Sequence, residues 1–198
     1  FFRMPLSSSS PPPRRLPTGA SPWALLTAIE RGRVAMVKFT APEGLTLADL
    51  ADLAAERLGL PRDSIITAAA LRARVNRVAP DAPTLEGYLL PETYNLPVPV
   101  TATSLVDAMV EEFQRKWNPA WDRRLDSLRL TRTQVLALAS IVEGEARHDD
   151  ERPIIAAVYS NRLRLGMPLQ ADPTVQYAIQ VATGERKKRL YFKDYEFP

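Results

Sequence analysis

The feature that most constrains this sequence is an apolar helix in its second half, predicted over residues 131–147. It begins at Thr131, and Gln134 follows at the spacing of a capping box. Apolar residues recur along it with the period of about 3.6 residues that marks one face of a helix. Because such a face has to be covered by other elements, this half of the chain is predicted to be mostly helical and built around residues 131–147.

Further helices are predicted on both sides of that segment. An amphipathic helix is expected over 105–117, and Pro153 stands in the first turn of another, which Gly166 closes. A last short helix is predicted from Pro173 to Ile179. Residues 86–94 mix aromatic residues with glycine and proline, so they are expected to form an ordered connector rather than a regular element.

The first half has a different pattern. Residues 34–39 are apolar and β-branched and predict a strand, and leucines at helical spacing predict a helix over 45–58. Asp63 is expected to cap a further helix that runs to about Val78. Pro80 and Pro83 then indicate a linker. This half is therefore predicted to be a compact α+β unit.

Cysteine is absent, and His148 is the single histidine of the chain. The composition excludes disulfides, thiolate metal sites and cysteine nucleophiles. It also leaves almost no material for a histidine metal cluster or a Ser/His/Asp triad. His148 stands in a polar run and is interpreted as a solvated surface residue. We therefore expect neither a metal nor a cofactor.

The net charge of +3 favours a polyanion as partner, without selecting among peptidoglycan, anionic lipid and nucleic acid. The densest basic run, residues 186–189, is interpreted as a solvated turn. A nucleic-acid-binding domain would be expected to present a basic helix, whereas the strongest helix here ends in the acidic residues of 143–151. Nucleic acid is therefore not expected as a partner.

Two carboxylates, Glu143 and Glu145, stand at the end of the apolar helix and flank its apolar face. Burial against apolar surface disfavours a charged carboxylate, which is how a general acid for neutral pH is made. The alternative is that both are ordinary glutamates that reach into solvent. Gly144 between them slightly favours a functional interpretation, since glycine costs about 1 kcal/mol in a helix and permits close approach.

Residues 161–177 form a second candidate stretch. Amides, an acid, a threonine and a tyrosine cluster there around turns at Gly166, Pro168 and Pro173. This composition suits a glycan-binding groove, where planar polar groups bind hydroxyls and aromatic faces bind sugar rings. Without further context it is equally compatible with an ordinary, internally satisfied loop.

Several of these segments together resemble the signature of the YceG-like family, whose best-known members are MltG-type endolytic murein transglycosylases. The resemblance is carried by Ala139–Glu145, Glu151–Arg152, Asn161–Leu163 and Gly166–Tyr177. Residues 85–94 resemble the second motif of that family, and residues 37–48 resemble its LysM-like subdomain. The motifs occur in the order of the family and span most of the chain.

The resemblance implies an α+β fold with two domains. Residues 1–82, with a Pro/Ser-rich loop at 7–18, would form a small LysM-like α+β subdomain. Residues 83–198 would form a mostly helical, lysozyme-like transglycosylase domain. The family continues into segments that are absent after Pro198, so this domain is expected to be incomplete at its C-terminus.

The resemblance also implies a reaction. The family cleaves the MurNAc–GlcNAc glycosidic bond inside nascent peptidoglycan strands and leaves 1,6-anhydro-MurNAc ends, with one glutamate acting first as acid and then as base. By position in the motif that glutamate is Glu145, with Glu143 as the reserve candidate or a supporting group. The candidates for substrate contact or site support are Asn161, Gln170, Asp172, Thr174 and Tyr177.

The family's location and partners follow from the same resemblance. It implies a single-pass protein of the bacterial inner membrane whose enzyme part faces the periplasm and cell wall. No apolar run here approaches the roughly 20 residues that cross a bilayer, so the anchor is expected outside this chain. Peptidoglycan glycan strands are the expected substrate, and cell-wall synthases are expected partners. The alternative function is a non-catalytic peptidoglycan-binding or scaffold module.

Overall fold

A computed structural model describes residues 21–23, 35–187 and 189–196 of the chain. The sequence also predicts a helix from Ser21 to about Arg31, with Ser21 as its cap and Pro22 in its first turn. Most of that helix and the predicted loop at 7–18 lie outside the described residues. In chain order the described elements are β1 (Met36–Thr40), α1 (Leu47–Leu58), α2 (Arg62–Ala70), α3 (Arg72–Val78), β2 (Thr93–Pro97), α4 (Ala102–Lys116), α5 (Pro119–Leu128), α6 (Arg132–Glu145), a 3-10 turn (Asp149–Glu151), α7 (Arg152–Arg164), α8 (Asp172–Thr183) and a final 3-10 helix (Phe192–Glu196). The predicted α+β class is confirmed.

The described strands form one two-stranded antiparallel sheet, in which Phe39 of β1 pairs with Tyr94 of β2. Strand β2 corrects the prediction of a connector, which covered its first two residues. Its sequence contains a proline and two polar residues and gives a weak local strand signal. Pairing with β1, more than 50 residues earlier in the chain, supplies the hydrogen bonds that stabilise it.

Helix α1 was predicted over 45–58; it begins two residues later, at Leu47, and ends at Leu58 as predicted. Thr46 accepts a hydrogen bond from the backbone of Asp49, whose side chain accepts one in return from the backbone of Thr46. This reciprocal capping box satisfies donors that the first turn leaves unpaired. Gly59 ends the helix in the left-handed conformation, at φ +67°, which glycine adopts without a steric penalty.

The helix predicted from Asp63 to Val78 is in fact two helices, α2 and α3. The chain is extended at Leu71, and Pro61 rather than Asp63 occupies the cap position. The carbonyl of Ala69 accepts a hydrogen bond of 3.0 Å from the N–H of Leu85. This tertiary contact uses an acceptor near the end of α2, and no glycine or proline marks the break in the sequence.

The remaining helices match their predictions with shifted ends, and one was missed. Helix α4 was predicted from residue 105 and begins at Ala102, and α8 continues past Ile179 to Thr183. Helix α6 starts at its predicted capping box and ends at Glu145, before residue 147. Helix α5 was not predicted; the side chain of Asn118 caps it, accepting from the N–H of Ala120.

The chain divides into two compact units, each described here by itself. The first holds the described residues up to Val75 together with Thr84–Lys116, and the second holds Asn76–Pro83 together with the described residues from Trp117 onward. Residues 84–116 therefore belong to the unit that contains the sheet, although the predicted boundary at 82/83 groups them with the domain predicted to be catalytic. The functional division at 82/83, and the LysM-like and lysozyme-like character of its parts, stay predictions.

The two units differ in how much apolar side chain they bury. In the first unit Phe39, Tyr88, Leu96 and other large residues are almost completely buried. In the second, the core cluster consists of Ile141, Val142, Tyr159 and Ala171, with partly buried residues packed around it. Within the described residues, no helix is long and apolar enough to span a membrane.

Candidate active site

The two candidate acids differ in exposure, although they are separated by a single residue of α6. Glu143 is exposed, whereas Glu145, the last residue of the helix, is half-buried. Residues two apart in a helix point about 200° away from each other, so only one of the pair can face a given neighbour. The helix thus turns Glu145, rather than Glu143, toward the packed side of the second unit.

The group that Glu145 meets there is Tyr159 of α7. Tyr159 is only 8% exposed and belongs to the core cluster with Ile141 and Val142. Burial raises the pKa of its phenol, and the charge of Glu145 and a hydrogen bond with that carboxylate raise it further. The tyrosine therefore stays protonated at neutral pH and can donate to the Glu145 carboxylate.

Gly144 lets the start of α8 approach the end of α6. A Cβ atom at this position would lie 2.7 Å from Cγ of Pro173 and 3.0 Å from its Cβ, which is too close for any side chain. The residues next to this contact are Glu145 on α6 and Asp172 on α8. The glycine therefore permits a packing that brings two predicted site carboxylates into the same region.

Asp172 is also bound by Tyr195 of the final 3-10 helix. The hydroxyl of Tyr195 donates a hydrogen bond of 2.7 Å to Oδ1 of Asp172. This bond is the main reason why the pKa of Tyr195 is raised, and the charges of Asp172, Asp194 and Glu145 add to it. Glu145, Tyr159, Asp172 and Tyr195 thus form one group of two carboxylates and two phenols, which we call the carboxylate–tyrosine cluster.

The loop between α7 and α8 is held by Arg162. Its guanidinium donates hydrogen bonds to the carbonyl oxygens of Pro168 (3.4 Å) and Leu169. Gln170 follows with φ +53°, in the left-handed region that is unfavourable for a residue with a side chain. Its Oε1 lies 3.5 Å from the same guanidinium group. Gln170 lies two residues before Asp172, at which α8 begins.

The other predicted contacts have more ordinary structural partners. The Thr174 hydroxyl donates to the carbonyl of Ala171 at 2.7 Å, in the first turn of α8. The side-chain oxygen of Asn161 accepts a hydrogen bond from Arg164 of the same helix at 3.4 Å. Tyr177 lies further along α8 with its side chain exposed. Of the predicted substrate residues, Asp172 is the one whose charge is seen by both cluster tyrosines.

Sequence reasoning missed Tyr159, Tyr195 and Arg162 as site residues. Arg162 lies inside the Asn161–Leu163 motif. An arginine beside a turn rich in glycine and proline could have been recognised as a residue that holds a loop. Tyr159 looks like an ordinary core residue in a helical pattern. Tyr195 lies far from Glu145 in the sequence, so only the fold brings its hydroxyl to Asp172.

The chemistry available in the cluster is acid–base chemistry. In the part of the chain that the structure describes, no group of three or more His, Cys, Asp or Glu side chains could hold a metal ion. A half-buried carboxylate beside a buried phenol can give and take a proton at one position. The second carboxylate can accept hydrogen bonds from hydroxyl or amide groups of a ligand.

A concave surface of about 650 Å³ lies in the first unit, between the start of α2 and the start of α4. Its one arginine, Arg74, is bound to Asp107 by two hydrogen bonds and to the carbonyl of Ala68. Its other charged residue is Asp63. This surface therefore lacks the paired acids and phenols that the cluster of the second unit offers.

Comparison with known proteins gives a family match over almost the whole chain. The model of the YceG-like family matches residues 15–197. A crystal structure of a yceG-like protein from Listeria monocytogenes superposes with a TM-score of 0.70 at 29% identity, covering 91% of this chain and 63% of that one.

Two similar curated proteins are each named endolytic murein transglycosylase. The protein of Streptococcus pneumoniae serotype 2 (strain D39 / NCTC 7466) is 32% identical over an alignment of 164 residues, which covers 72% of this chain and 29% of the relative. The protein of Bacillus subtilis (strain 168) is 36% identical over 113 residues, which are 57% and 30%. The chain thus spans less than a third of the length of these two relatives.

Proposed function

Because the chain belongs to the YceG-like family, we propose that it carries peptidoglycan lytic transglycosylase activity, with Glu145 as the catalytic acid and base. The relatives named endolytic murein transglycosylase support the reaction class. The observation that carries the choice of residue is the half-buried position of Glu145 beside Tyr159, while Glu143 is exposed. The proposed cut is the MurNAc–GlcNAc bond within nascent glycan strands.

In the proposed reaction, the Glu145 carboxyl group first protonates the glycosidic oxygen, and the bond from that oxygen to C1 of MurNAc breaks. The carboxylate then accepts the proton of the C6 hydroxyl as O6 closes on C1. The products are a 1,6-anhydro-MurNAc end and a free GlcNAc hydroxyl, and no water is consumed. Glycosidases with two carboxylates deliver water or form a covalent sugar intermediate, whereas here the substrate's own hydroxyl is the nucleophile.

The other residues of the cluster support the bound glycan and the acid. Tyr159 lies beside Glu145, and its protonated phenol is proposed to donate to that carboxylate and so to orient it. Asp172 is the first residue of α8, and Gln170 lies two residues before it. Their side chains provide hydrogen-bond acceptors and donors for sugar hydroxyl and N-acetyl groups. Asn161, Thr174 and Tyr177 remain proposed as further contacts or as support for this region. We also propose attachment to the inner membrane by an anchor outside these residues, with the cluster facing the cell wall beside cell-wall synthases.

The test is a digest of purified glycan strands by the complete natural protein, with products identified by mass spectrometry. We expect 1,6-anhydro-muramyl ends from the wild type and at least a ~1000-fold loss with Glu145→Gln, because the amide can neither give nor take the proton. Glu143→Gln is the matched control, two residues away on the same helix, and should retain activity within about threefold.

Three other outcomes of this digest would contradict parts of the proposal. Reducing ends in place of anhydro ends would show hydrolysis instead of transglycosylation. Equal losses in the two variants would remove the distinction between Glu143 and Glu145. Strand binding that survives Glu145→Gln, with no product even from the wild type, would establish the alternative of a non-catalytic peptidoglycan-binding module.

A further inference from the structure

Tyr195 approaches the candidate acid from a segment that the proposed reaction does not use. It belongs to the final 3-10 helix, and its side chain is 52% exposed. Its hydroxyl donates a hydrogen bond to Oδ1 of Asp172, at 2.7 Å. The hydroxyl of an exposed tyrosine can form hydrogen bonds with water. Burial therefore does not explain why this hydroxyl binds Asp172.

The backbone beside Tyr195 is fixed by its neighbour, Asp194. The Asp194 side chain is almost completely buried, and its carboxylate accepts hydrogen bonds from Nζ of Lys187 (2.5 Å) and from the N–H of Tyr191 (2.9 Å). These two bonds also hold the pKa of Asp194 below its usual value. The position of the Tyr195 hydroxyl is therefore set by a braced segment.

The bond from Tyr195 occupies only one oxygen of Asp172. Within the described residues, the other oxygen, Oδ2, accepts no hydrogen bond from a backbone or side-chain donor. The charge of Glu145 acts on Tyr195, and the charge of Asp172 acts on Tyr159 beside Glu145. The unused oxygen is thus part of the same cluster as the candidate acid.

Building on the function proposed above, we propose that Tyr195 is a positioning residue that fixes Oδ1 of Asp172 and thereby orients Oδ2 toward the glycan bound at Glu145. The group that Oδ2 recognises is a hydroxyl or N-acetyl N–H donor of a sugar. A carboxylate held at one oxygen presents the other in a single direction, so less rotational freedom is lost when the ligand binds. Tyr195 acts through Asp172 and does not itself exchange a proton with the substrate.

The kinetic test compares Tyr195→Phe with the wild type in the complete natural protein. The substitution removes one oxygen and keeps the ring. We expect the KM for glycan strands to rise roughly fivefold, the effect of one lost hydrogen bond, while kcat stays within about twofold. Tyr191→Phe is the matched control from the same segment, because its backbone N–H rather than its hydroxyl braces Asp194; it should leave both constants unchanged.

A double-mutant cycle tests whether Tyr195 acts through Asp172. In an Asp172→Ala background, Tyr195→Phe should change KM by less than about 1.5-fold, because the group it positions is gone. The same increase in both backgrounds would overturn the proposal and assign Tyr195 an independent contact. A fall in kcat with unchanged KM, or an equal effect of Tyr191→Phe, would overturn it as well.

A measurement without substrate separates this inference from the proposed function. In protein labelled with ¹³Cζ-tyrosine, the Tyr195 resonance is identified from its loss in Tyr195→Phe, and its pH titration is followed. Asp172→Asn should shift that titration to lower pH, because the main cause of the raised pKa is the bond to Asp172. An unchanged titration would exclude the Tyr195–Asp172 contact. Absence of anhydro products from the wild type, with the shift observed, would instead refute the function and with it the glycan role of Tyr195.

Discussion

At the scale of single residues, Glu143 and Glu145 show how identical side chains acquire different surroundings. The helix turns Glu143 toward solvent and Glu145 toward Tyr159, which belongs to the core cluster. The chemical difference between them therefore comes from neighbours on α7 rather than from α6. The same principle applies in the first unit, where the environment of Glu86 is unusual for a carboxylate.

Glu86 provides a prediction about pH. Both of its carboxylate oxygens lie 3.0 Å from the N–H of Leu47, the first residue of α1. Burial is the largest effect and raises the Glu86 pKa above 4.5; the charge of Asp49 adds to it, and the Leu47 hydrogen bond opposes it. A raised pKa in the folded state stabilises the fold below pH 4.5, and this contribution is lost as the pH rises through the folded-state pKa.

The measurement is denaturant unfolding of the wild type and Glu86→Gln at several pH values from 4 to 7. The free energy of unfolding of the wild type should fall relative to that of the variant as the pH increases, because only the wild type has to bury a charge. The glutamine keeps an oxygen that can accept from Leu47. A difference that is constant across this range, or that increases with pH, would show that burial does not control this carboxylate.

At the scale of elements, the start of α6 depends on neighbouring residues in the sequence, whereas its last turn packs against α8. Thr131 and Gln134 form the capping box, with hydrogen bonds of 2.9 and 3.1 Å. Gly144, one residue before the end, lowers the helix propensity but admits Pro173 of α8. The last turn of α6 is thus suited to contact with α8 rather than to helix stability.

Gly144→Ala tests that interpretation. Overpacking against Pro173 should cost about 1–3 kcal/mol, partly offset by about 1 kcal/mol of better helix propensity. We expect a net loss of roughly 1 kcal/mol in the free energy of unfolding, and a lower rate of the proposed transglycosylase reaction because α8 carries Asp172. Glu143→Ala, an exposed change in the same turn, should stay within about 0.5 kcal/mol. A stabilised Gly144→Ala would mean that α8 can move away without cost.

At the scale of the whole molecule, the chain builds two units from interleaved segments. It leaves the first unit after Val75 and returns at Thr84. Within the first unit, Arg74 of α3 is joined to Asp107 of α4 by a salt bridge of 2.6 Å, across 33 positions of sequence. The side chain of Arg74 is 9% exposed and that of Asp107 is 34% exposed.

Asp107→Ala should therefore destabilise the protein by about 2 kcal/mol, because it leaves the buried Arg74 charge without its carboxylate. The value lies below the range for fully buried pairs, since Asp107 is partly solvated. Asp52→Ala removes an exposed salt bridge to Arg62 in the same unit and should cost less than about 1 kcal/mol. Urea unfolding measures both, and equal effects would show that Arg74 is solvated when its partner is lost.

Local patterns predicted the helices well and the sheet only in part. The capping boxes at Thr46 and Thr131 consist of residues three apart, so the sequence contains the whole interaction. Strand β2 depends on β1, and the break at Leu71 accompanies a hydrogen bond from Leu85 to Ala69. These contacts join residues that are distant in sequence, and no short pattern records them.

The candidate site was likewise predicted only in part. The sequence by itself determined the α+β class, the apolar helix with Glu143 and Glu145 at its end, and the motifs that resemble the YceG-like family, since each depends on residue type and short spacing. Only the tertiary structure decided that Glu145 faces Tyr159 and that Tyr195 reaches Asp172. The physical reason is that burial and hydrogen bonding depend on which side chains meet across α6, α7, α8 and the final 3-10 helix.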